Sequence, residues 1–438
     1  MNPTCRGAQG ILDFEHTSPG PHPRAAPDAD LPAQVQTGVD AAPDMPRRRS
    51  MTPHPPLPHT TPYRDRKRFA WVLSLLVPLS VATGPLLWQW HPATGMLWLP
   101  VLFVYVVAPL LDLALGTDRS NPPEDAVPAL EADRYYRYVT YALVPLLWGA
   151  FIYAAWFSQT PELTPLGLLA LVISTGGVGG FCINLGHEIG HKQGRLERWL
   201  ARLILAPTGY GHFTIEHNRG HHRDVATPQD PASSRMGESI WRFVWREMPG
   251  AARRAWVLER ERLKTDGLPF WSLHNELLQP ALVTVALWTA LALWLGPQVL
   301  LFLLLASLWA NFQLTSANYV EHYGLLRRRG PDGRYETCKP EHSWNSNHVF
   351  SNWATFHLQR HSDHHAHPLR RFQSLRHFEQ APQLPSGYFG MFPLAYVPPL
   401  WFAVMDKRLL DAVGRDPARI NFDPAHKDRL MARHGLTV

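Results

Sequence analysis

Four short runs of histidine hold the residue types that could do chemistry in this chain. The first is Gly186-His187-Glu188-Ile189-Gly190-His191 and the second is Glu216-His217-Asn218-Arg219-Gly220-His221-His222. The third is Glu321-His322 and the fourth is His361-Ser362-Asp363-His364-His365. Neutral imidazole is a common ligand for transition metals. His187 and His191, four residues apart, share one face of a helix. With 23 histidines in 438 residues, roughly one HxxxH pair arises by chance, so the first run alone says little. HxxxHH and HxxHH are each expected well under about 0.1 times by the same count, and both are present. We therefore expect the nine clustered histidines to ligate metal. For His212, His342, His348, His357, His367 and His377 we expect ordinary hydrogen-bonded or supporting roles.

Nine ligands constrain the metal. Catalytic zinc takes about three protein ligands in a tetrahedral site, so nine imidazoles are too many for one zinc and awkward for two. Two six-coordinate ions offer about twelve positions and leave about three open. Open positions among neutral nitrogen ligands suit iron that binds dioxygen, although manganese or zinc would also bind. Soluble di-iron bundles use carboxylate-rich sites, so a histidine-rich site belongs to a different class.

The elements that must carry these runs are apolar. Six stretches near 69–90, 96–116, 136–158, 164–184, 279–296 and 298–320 approach the length of about 20 residues that crosses a bilayer. The short connections near 91–95, 159–163 and 296–298 contain no Lys or Arg. The others are rich in them: Arg64, Arg66, Lys67 and Arg68; Arg119, Arg134 and Arg137; Lys192, Arg195 and Arg198; Arg327, Arg328 and Arg329. This alternation is what the positive-inside rule predicts. It places both termini, the long 185–278 connection and all four histidine runs on the cytoplasmic side. The fold class expected is therefore all-α and integral to the membrane, with six transmembrane helices extending into a cytoplasmic histidine-rich cap. Gly176, Gly177, Gly179 and Gly180 in the fourth span suggest close helix packing. Asn311, Gln313, Thr315, Ser316 and Asn318 in the sixth either line a route to the metals or bond neighbouring helices.

Residues 1–62 contain thirteen prolines and too few large apolar side chains to fold. The expected domain covers 63–430, with a short tail at 431–438. The net charge of +6 lies in patches beside the spans, so nucleic-acid binding is not expected. Cys5, Cys182 and Cys338 are far apart and form no CxxC pair. An iron–sulfur domain of the rubredoxin kind, which needs four cysteines, is not expected within this sequence. Glu188, Glu216, Glu321 and Asp363 are candidates, by adjacency, to orient the ligand histidines. Arg253, Arg254, Arg260 and Arg262 form a basic stretch that could steer an acidic electron donor.

The sequence closely resembles the membrane alkane monooxygenases, the AlkB-type alkane hydroxylases of the membrane-bound desaturase/hydroxylase superfamily. The resemblance rests on GHEIGHK at 186–192, GYGHFTIEHNRGHHRDVATPQDPASSRMGES at 209–239, LTSANYVEHYGLLR at 314–327 and PEHSWNSNHVFSNWATFHLQRHSDHHAHP at 340–368. It covers roughly residues 60–430. It implies a six-span bundle with a cap holding two iron ions, ligated by His187, His191, His217, His221, His222, His322, His361, His364 and His365. It further implies dioxygen as co-substrate and terminal hydroxylation of linear alkanes that enter from the bilayer. A separate rubredoxin, served by an NADH-dependent reductase, would supply electrons. The location implied is the bacterial inner membrane. Xylene-type monooxygenases and fatty acyl desaturases or hydroxylases are the nearest rival readings. A membrane zinc protease fits HExxH at 187–191 but has no use for seven further clustered histidines. A metal transporter would place its site near the bilayer midplane.

Overall fold

The structure is a computed structural model and describes residues 63–437. The proline-rich head, expected to stay unfolded, lies outside the described residues. Among the described residues there are helices and a few isolated bridges but no strand. Six helices are long and apolar enough to cross a membrane: Arg68–Trp90, Thr94–Leu115, Arg134–Phe157, Pro165–Gly190, Leu278–Leu295 and Val299–His322. We number them as spans one to six.

Most ends agree with the sequence reading to within about two residues. Span four is different: it was expected to stop at 184 but runs on to Gly190, while span six ends at His322, two residues past the expected 320. Hydropathy marks where lipid surrounds a helix. The helix itself continues as long as its polar side chains find partners in protein. His187 and His322 are therefore carried on the span helices themselves, and His191 caps span four.

Spans four and six form a close pair, and glycine makes the approach possible. A Cβ on Gly176 would lie 2.7 Å from the Ala306 carbonyl oxygen. One on Gly179 would lie 2.6 Å from Ala310 Cβ, and one on Gly180 2.6 Å from Gln313 Cβ. Gly177 points elsewhere and has nothing within 4 Å. Small residues at this spacing let two helices touch backbone to backbone, where dispersion replaces the hydrophobic effect that lipid removes. This contact fixes the ends of both spans, and with them His187 and His322, relative to each other.

The cap is built from the connection between spans four and five and from everything after span six. Its first part contains the helices Arg195–Leu205, Phe213–Glu216 and Ile240–Thr265. Its second contains Val349–Ala354, His361–Ala366, Tyr388–Ala395, Pro398–Ala412 and Lys427–His434. One apolar core runs between the spans through Leu143, Leu171, Ile183, Leu303 and Ala306. A second, beneath the cap, joins Ile240, Phe243, Tyr319, Trp344, Trp401 and Met405. The domain boundary expected at 430 falls inside the last helix, whose Leu430 is buried, as is Leu436 beyond it.

The glycine contact makes a paired prediction. Gly176→Ala forces a methyl against a backbone oxygen that cannot swing aside and should cost about 1–3 kcal/mol. Gly177→Ala meets open space and gains helix propensity, so it should be neutral or stabilising. Thermal unfolding in detergent distinguishes them; equal midpoints would mean that spans four and six are not packed through this face.

Candidate metal centre

All nine histidines singled out from the sequence come together, in two adjacent groups. His187, His191, His217, His222 and His364 form the first, and His221, His322, His361 and His365 the second. Within each group one ligand atom per residue lies within 4.8 Å of all the others. The rings of His222 and His365, 4.6 Å apart between centroids, stand where the groups meet. His212, His342, His348, His357, His367 and His377 belong to neither group. Several have ordinary partners, such as His357 Nδ1 on the Phe372 carbonyl (2.9 Å) and His348 Nδ1 on Ser346 Oγ (2.8 Å).

Local backbone geometry divides the runs between the groups. The helix from Phe213 to Asp224 passes through a π turn at His217–His221. The His222 N–H bonds to the His217 carbonyl, five residues back. In a regular α-helix residues five apart point in different directions; one π turn brings them to the same side. His217 and His222 thus share the first group, and His221 is turned into the second. On the helix His361–Ala366 the spacing does the reverse sorting. His361 and His365, four apart, share a face and enter the second group, while His364 enters the first.

The ring nitrogens converge on common points. His364 Nε2 lies 2.8 Å from His187 Nε2 and 3.0 Å from His222 Nε2. His222 Nε2 is also 3.1 Å from His217 Nε2. In the second group, His361 Nε2 is 3.3 Å from His322 Nε2 and 2.9 Å from His365 Nε2. A ring nitrogen has one in-plane site, as donor or as acceptor, so it cannot satisfy two such neighbours. Nε2 of His191 and of His221 is buried with no hydrogen-bond partner. A six-coordinate ion with bonds of about 2.1 Å holds adjacent nitrogens about 3.0 Å apart, which is the spacing found. The residues therefore fit a pair of metal ions, five imidazoles to one and four to the other. Burial, reinforced by neighbouring imidazoles, holds His191, His217, His222, His361, His364 and His365 well below the usual histidine range. They are neutral near pH 7, the form that binds metal.

Asp230, which adjacency in sequence did not suggest, touches a ligand ring. Its Oδ2 accepts from His221 Nδ1 at 2.9 Å and so leaves Nε2 directed into the second group. Burial alone would lower the His221 pKa; Asp230 outweighs it and raises it. Arg254 holds the carboxylate from behind, donating to Asp230 Oδ1 (2.7 Å) and to Glu216 Oε1 (2.9 Å from Nε). Of the four acids expected to orient histidines, Glu216 acts only through Arg254. Glu188 pairs with Lys192 (3.2 Å). Asp363 takes Arg370 and His367 rather than a clustered ring. Glu321 reaches the centre itself, with Oε2 at 3.4 Å from His361 Nε2 and Oε1 accepting from Tyr388 (2.5 Å). The basic stretch also reads differently in three dimensions. Arg254 is spent inside this network and Arg262 on Glu259 (2.6 Å), leaving Arg253 and Arg260 exposed.

A small cavity borders both groups, lined by His187, His217 and His361 together with Phe213, Leu314 and Leu358. Asn318 also faces it. The other polar residues of span six mainly bond neighbouring elements. Gln313 joins Tyr105 (3.2 Å) and Tyr396 (3.3 Å), and Thr315 donates to Glu247 (2.7 Å). Glu247, on the Ile240–Thr265 helix, also accepts from Asn318 (3.1 Å). Burial pushes its carboxyl up to about 7.

Comparison with known proteins follows the same lines. The family model for fatty acid desaturases matches residues 162–395. Alkane 1-monooxygenase 1 of Alcanivorax borkumensis is 50% identical over 380 residues, covering 85% of this chain and 93% of that protein. Alkane 1-monooxygenase of Ectopseudomonas oleovorans is 49% identical over 377 residues, 86% of this chain and 94% of that protein. The chain belongs to the alkane 1-monooxygenase family. That family lies within the fatty acid desaturase group, and the six apolar helices make this member a multi-pass membrane protein. The hydroxylase component of the xylene/toluene monooxygenase of Pseudomonas putida is a more distant relative, 27% identical over 368 residues.

Two predictions follow from the shell around the histidines. Asp230→Ala should weaken metal retention about ten- to a hundredfold, read as metal left after dialysis against a graded chelator; wild-type retention would remove Asp230 from this role. Glu247 has a folded-state pKa above its unfolded value, so the native state binds more protons between about pH 4.5 and pH 7. Its contribution to stability is present below about 4.5 and is lost as pH rises through about 7. Glu247→Gln should therefore gain stability relative to wild type across that window and hold the gain above it. A difference in melting temperature that does not change with pH would show that Glu247 does not titrate there.

Proposed function

We propose that this chain hydroxylates the terminal carbon of linear alkanes, using dioxygen at a pair of iron ions held by the nine histidines. One observation carries the reading. A five-plus-four arrangement of converging imidazoles sits at one end of a six-span bundle, in a chain about half identical to proteins named alkane 1-monooxygenase. Two six-coordinate ions would keep about one and two positions free. The reaction takes an alkane, dioxygen, two electrons and two protons, and yields a primary alcohol and water. When bound, the irons would supply the activation of dioxygen that no side chain can provide.

The protein's part is binding, positioning and exclusion of water. An alkane offers no polar handle, so its binding comes from apolar burial, roughly 0.8 kcal/mol per CH₂. Phe213, Leu314 and Leu358 present that surface beside His187, His217 and His361. A chain that enters end-on presents its terminal methyl first, and position then selects the carbon. Asp230 holds His221 in one tautomer, and packing around the rings, buried except for the half-buried His222, fixes their directions.

Electrons would come from a separate rubredoxin with its NADH-dependent reductase. Arg253 and Arg260 are exposed cations of the Ile240–Thr265 helix, with Lys264 a third, that could face an acidic donor. The Lys and Arg bias of the connections supports a cytoplasmic cap and termini in a bacterial inner membrane. The greater identity to the alkane enzymes than to the xylene/toluene component favours a linear alkane over an aryl methyl group. The pairing of Glu188 with Lys192 weighs against a protease, in which that carboxylate would be the free general base.

Purified protein supplied with a linear alkane, dioxygen, rubredoxin, its reductase and NADH should contain about two irons per chain and form a 1-alkanol. His364→Ala should lose both iron and alcohol. One zinc per chain with no alcohol would sink the proposal, and an alkene from an acyl substrate would move the activity to desaturation.

A further inference from the structure

Away from the histidine groups, a cavity of ≈ 310 Å³ opens where three segments meet. Arg66, Lys67 and Ala70 at the start of span one form one wall, and Asp118, just beyond span two, another. The third is the cap segment bearing Asn347, Asn352, Trp353, His357 and Arg360. None of the nine clustered histidines lines it.

Its charge is lopsided. Three cations, Arg66, Lys67 and Arg360, face one carboxylate, and Lys67 already pairs with Asp118 at 2.6 Å. Among the described residues neither Arg66 nor Arg360 forms a salt bridge with a carboxylate. Arg360 is 2% exposed. Its terminal nitrogens donate to the carbonyls of Leu375 (2.7 Å), Asp118 (3.0 Å) and Ser120 (3.0 Å), but its Nε has no partner. Trp353 Nε1, on the same wall, is likewise buried without a partner. A buried guanidinium whose direct hydrogen bonds go only to carbonyls, beside an Asp118 already paired with Lys67, is costly unless a further counter-charge approaches. Two unused N–H donors and two cations at the rim make the place for an anion.

The position selects the kind of anion. The cavity lies at the ends of spans one and two that share a side with the histidine groups. From its mouth the outer faces of those spans run into the bilayer as exposed Phe69, Leu73 and Leu76, and Leu110 and Leu113. A ligand with a negative head and apolar chains matches both surfaces at once. Basic pockets between transmembrane helices commonly take anionic headgroups.

We propose that this cavity binds the phosphate of an anionic membrane phospholipid, with the acyl chains lying along spans one and two. The lipid would cross-link the first two spans to the cap segment that leads directly into His361, and so tie the metal cap to the bilayer surface.

The test uses full-length protein in detergent with three probes: dioctanoyl phosphatidylglycerol, dioctanoyl phosphatidylcholine and inorganic phosphate. Native mass spectrometry and titration of tryptophan fluorescence should show one phosphatidylglycerol per chain, with phosphatidylcholine about tenfold weaker. Arg66→Ala/Lys67→Ala should weaken phosphatidylglycerol about tenfold or more while leaving metal content unchanged. Trp353→Phe, which removes one buried donor and keeps the ring's bulk, should weaken it several-fold and serves if the double variant does not fold. Wild-type affinity in the variants, or equal binding of the two lipids, would overturn the proposal. Displacement of the lipid by inorganic phosphate at similar concentration would assign the site to the free ion instead. None of these outcomes depends on hydroxylase activity, so failure here leaves the alkane reading intact, and the reverse.

Discussion

Nine imidazole lone pairs directed at two points inside a largely buried cluster set the terms for the rest of this molecule. Neutral ring nitrogens about 3 Å apart cannot all hydrogen-bond to one another, because each has one site and several neighbours. Without cations the cluster would be a concentration of unsatisfied buried polar groups, each costing of order 1–3 kcal/mol. With cations the same convergence becomes the strongest cross-link in the chain. It ties span four, the Phe213–Asp224 helix, span six and the His361–Ala366 helix together at their meeting point. The fold must therefore bring four distant segments to one place with their side chains already aimed.

Two devices do this, and neither is a ligand. Below the centre, the glycine face of span four lets span six approach until backbone meets side chain, which fixes His187 and His322. Above it, the Ile240–Thr265 helix buries Glu247, Ala251, Ala255 and Glu259, four residues apart, along one stripe. Its Arg254 holds Asp230 and Glu216, its Glu247 takes two donors from span six, and its Glu259 takes Arg219 (3.0 Å). A helix with no histidine in it thus grips the segments that carry four of the nine rings, His217, His221, His222 and His322. Rigid placement matters because ligand geometry tolerates errors of only about half an ångström.

Much of this could be read from the residues. The spacing of the apolar runs and the alternation of Arg and Lys located all six spans, because lipid imposes its length and charge rules on any chain. The improbability of two dense histidine patterns identified the nine rings. What sequence could not supply was anything set by three-dimensional direction. The split into five and four depends on a π turn at His217–His221, which has no reliable sequence signal. Asp230 lies nine residues from His221 and reaches it only after the chain reverses. Adjacency pointed instead to Glu188, Glu216 and Asp363, whose side chains leave their helices on faces turned toward Lys192, Arg254 and Arg370. The basic stretch was legible only in part for the same reason: linear charge density does not say that Arg254 and Arg262 are already paired within the protein while Arg253 and Arg260 stay exposed.

The buried acids around the centre divide into two kinds, and the division is chemical. Asp230 and Glu216 both face Arg254; for Asp230, burial is overcome by His221 and Arg254 and its pKa is lowered, whereas at Glu216 burial outweighs Arg254 and the pKa is raised. Glu247 faces only neutral donors, Thr315 and Asn318, so burial prevails and its carboxyl keeps a proton up to about pH 7. One of those donors, Asn318, also lines the cavity beside His187, His217 and His361. The fixed charges therefore stand behind the metal-facing rings, where they orient them. The acid that can exchange a proton near neutrality stands one side chain away from the space in which a proton-consuming reaction would occur. Glu321 is the one carboxylate on that cavity's wall, which is otherwise imidazole, amide and apolar surface, so a proton is within reach of a space that suits a substrate with no charge or dipole of its own.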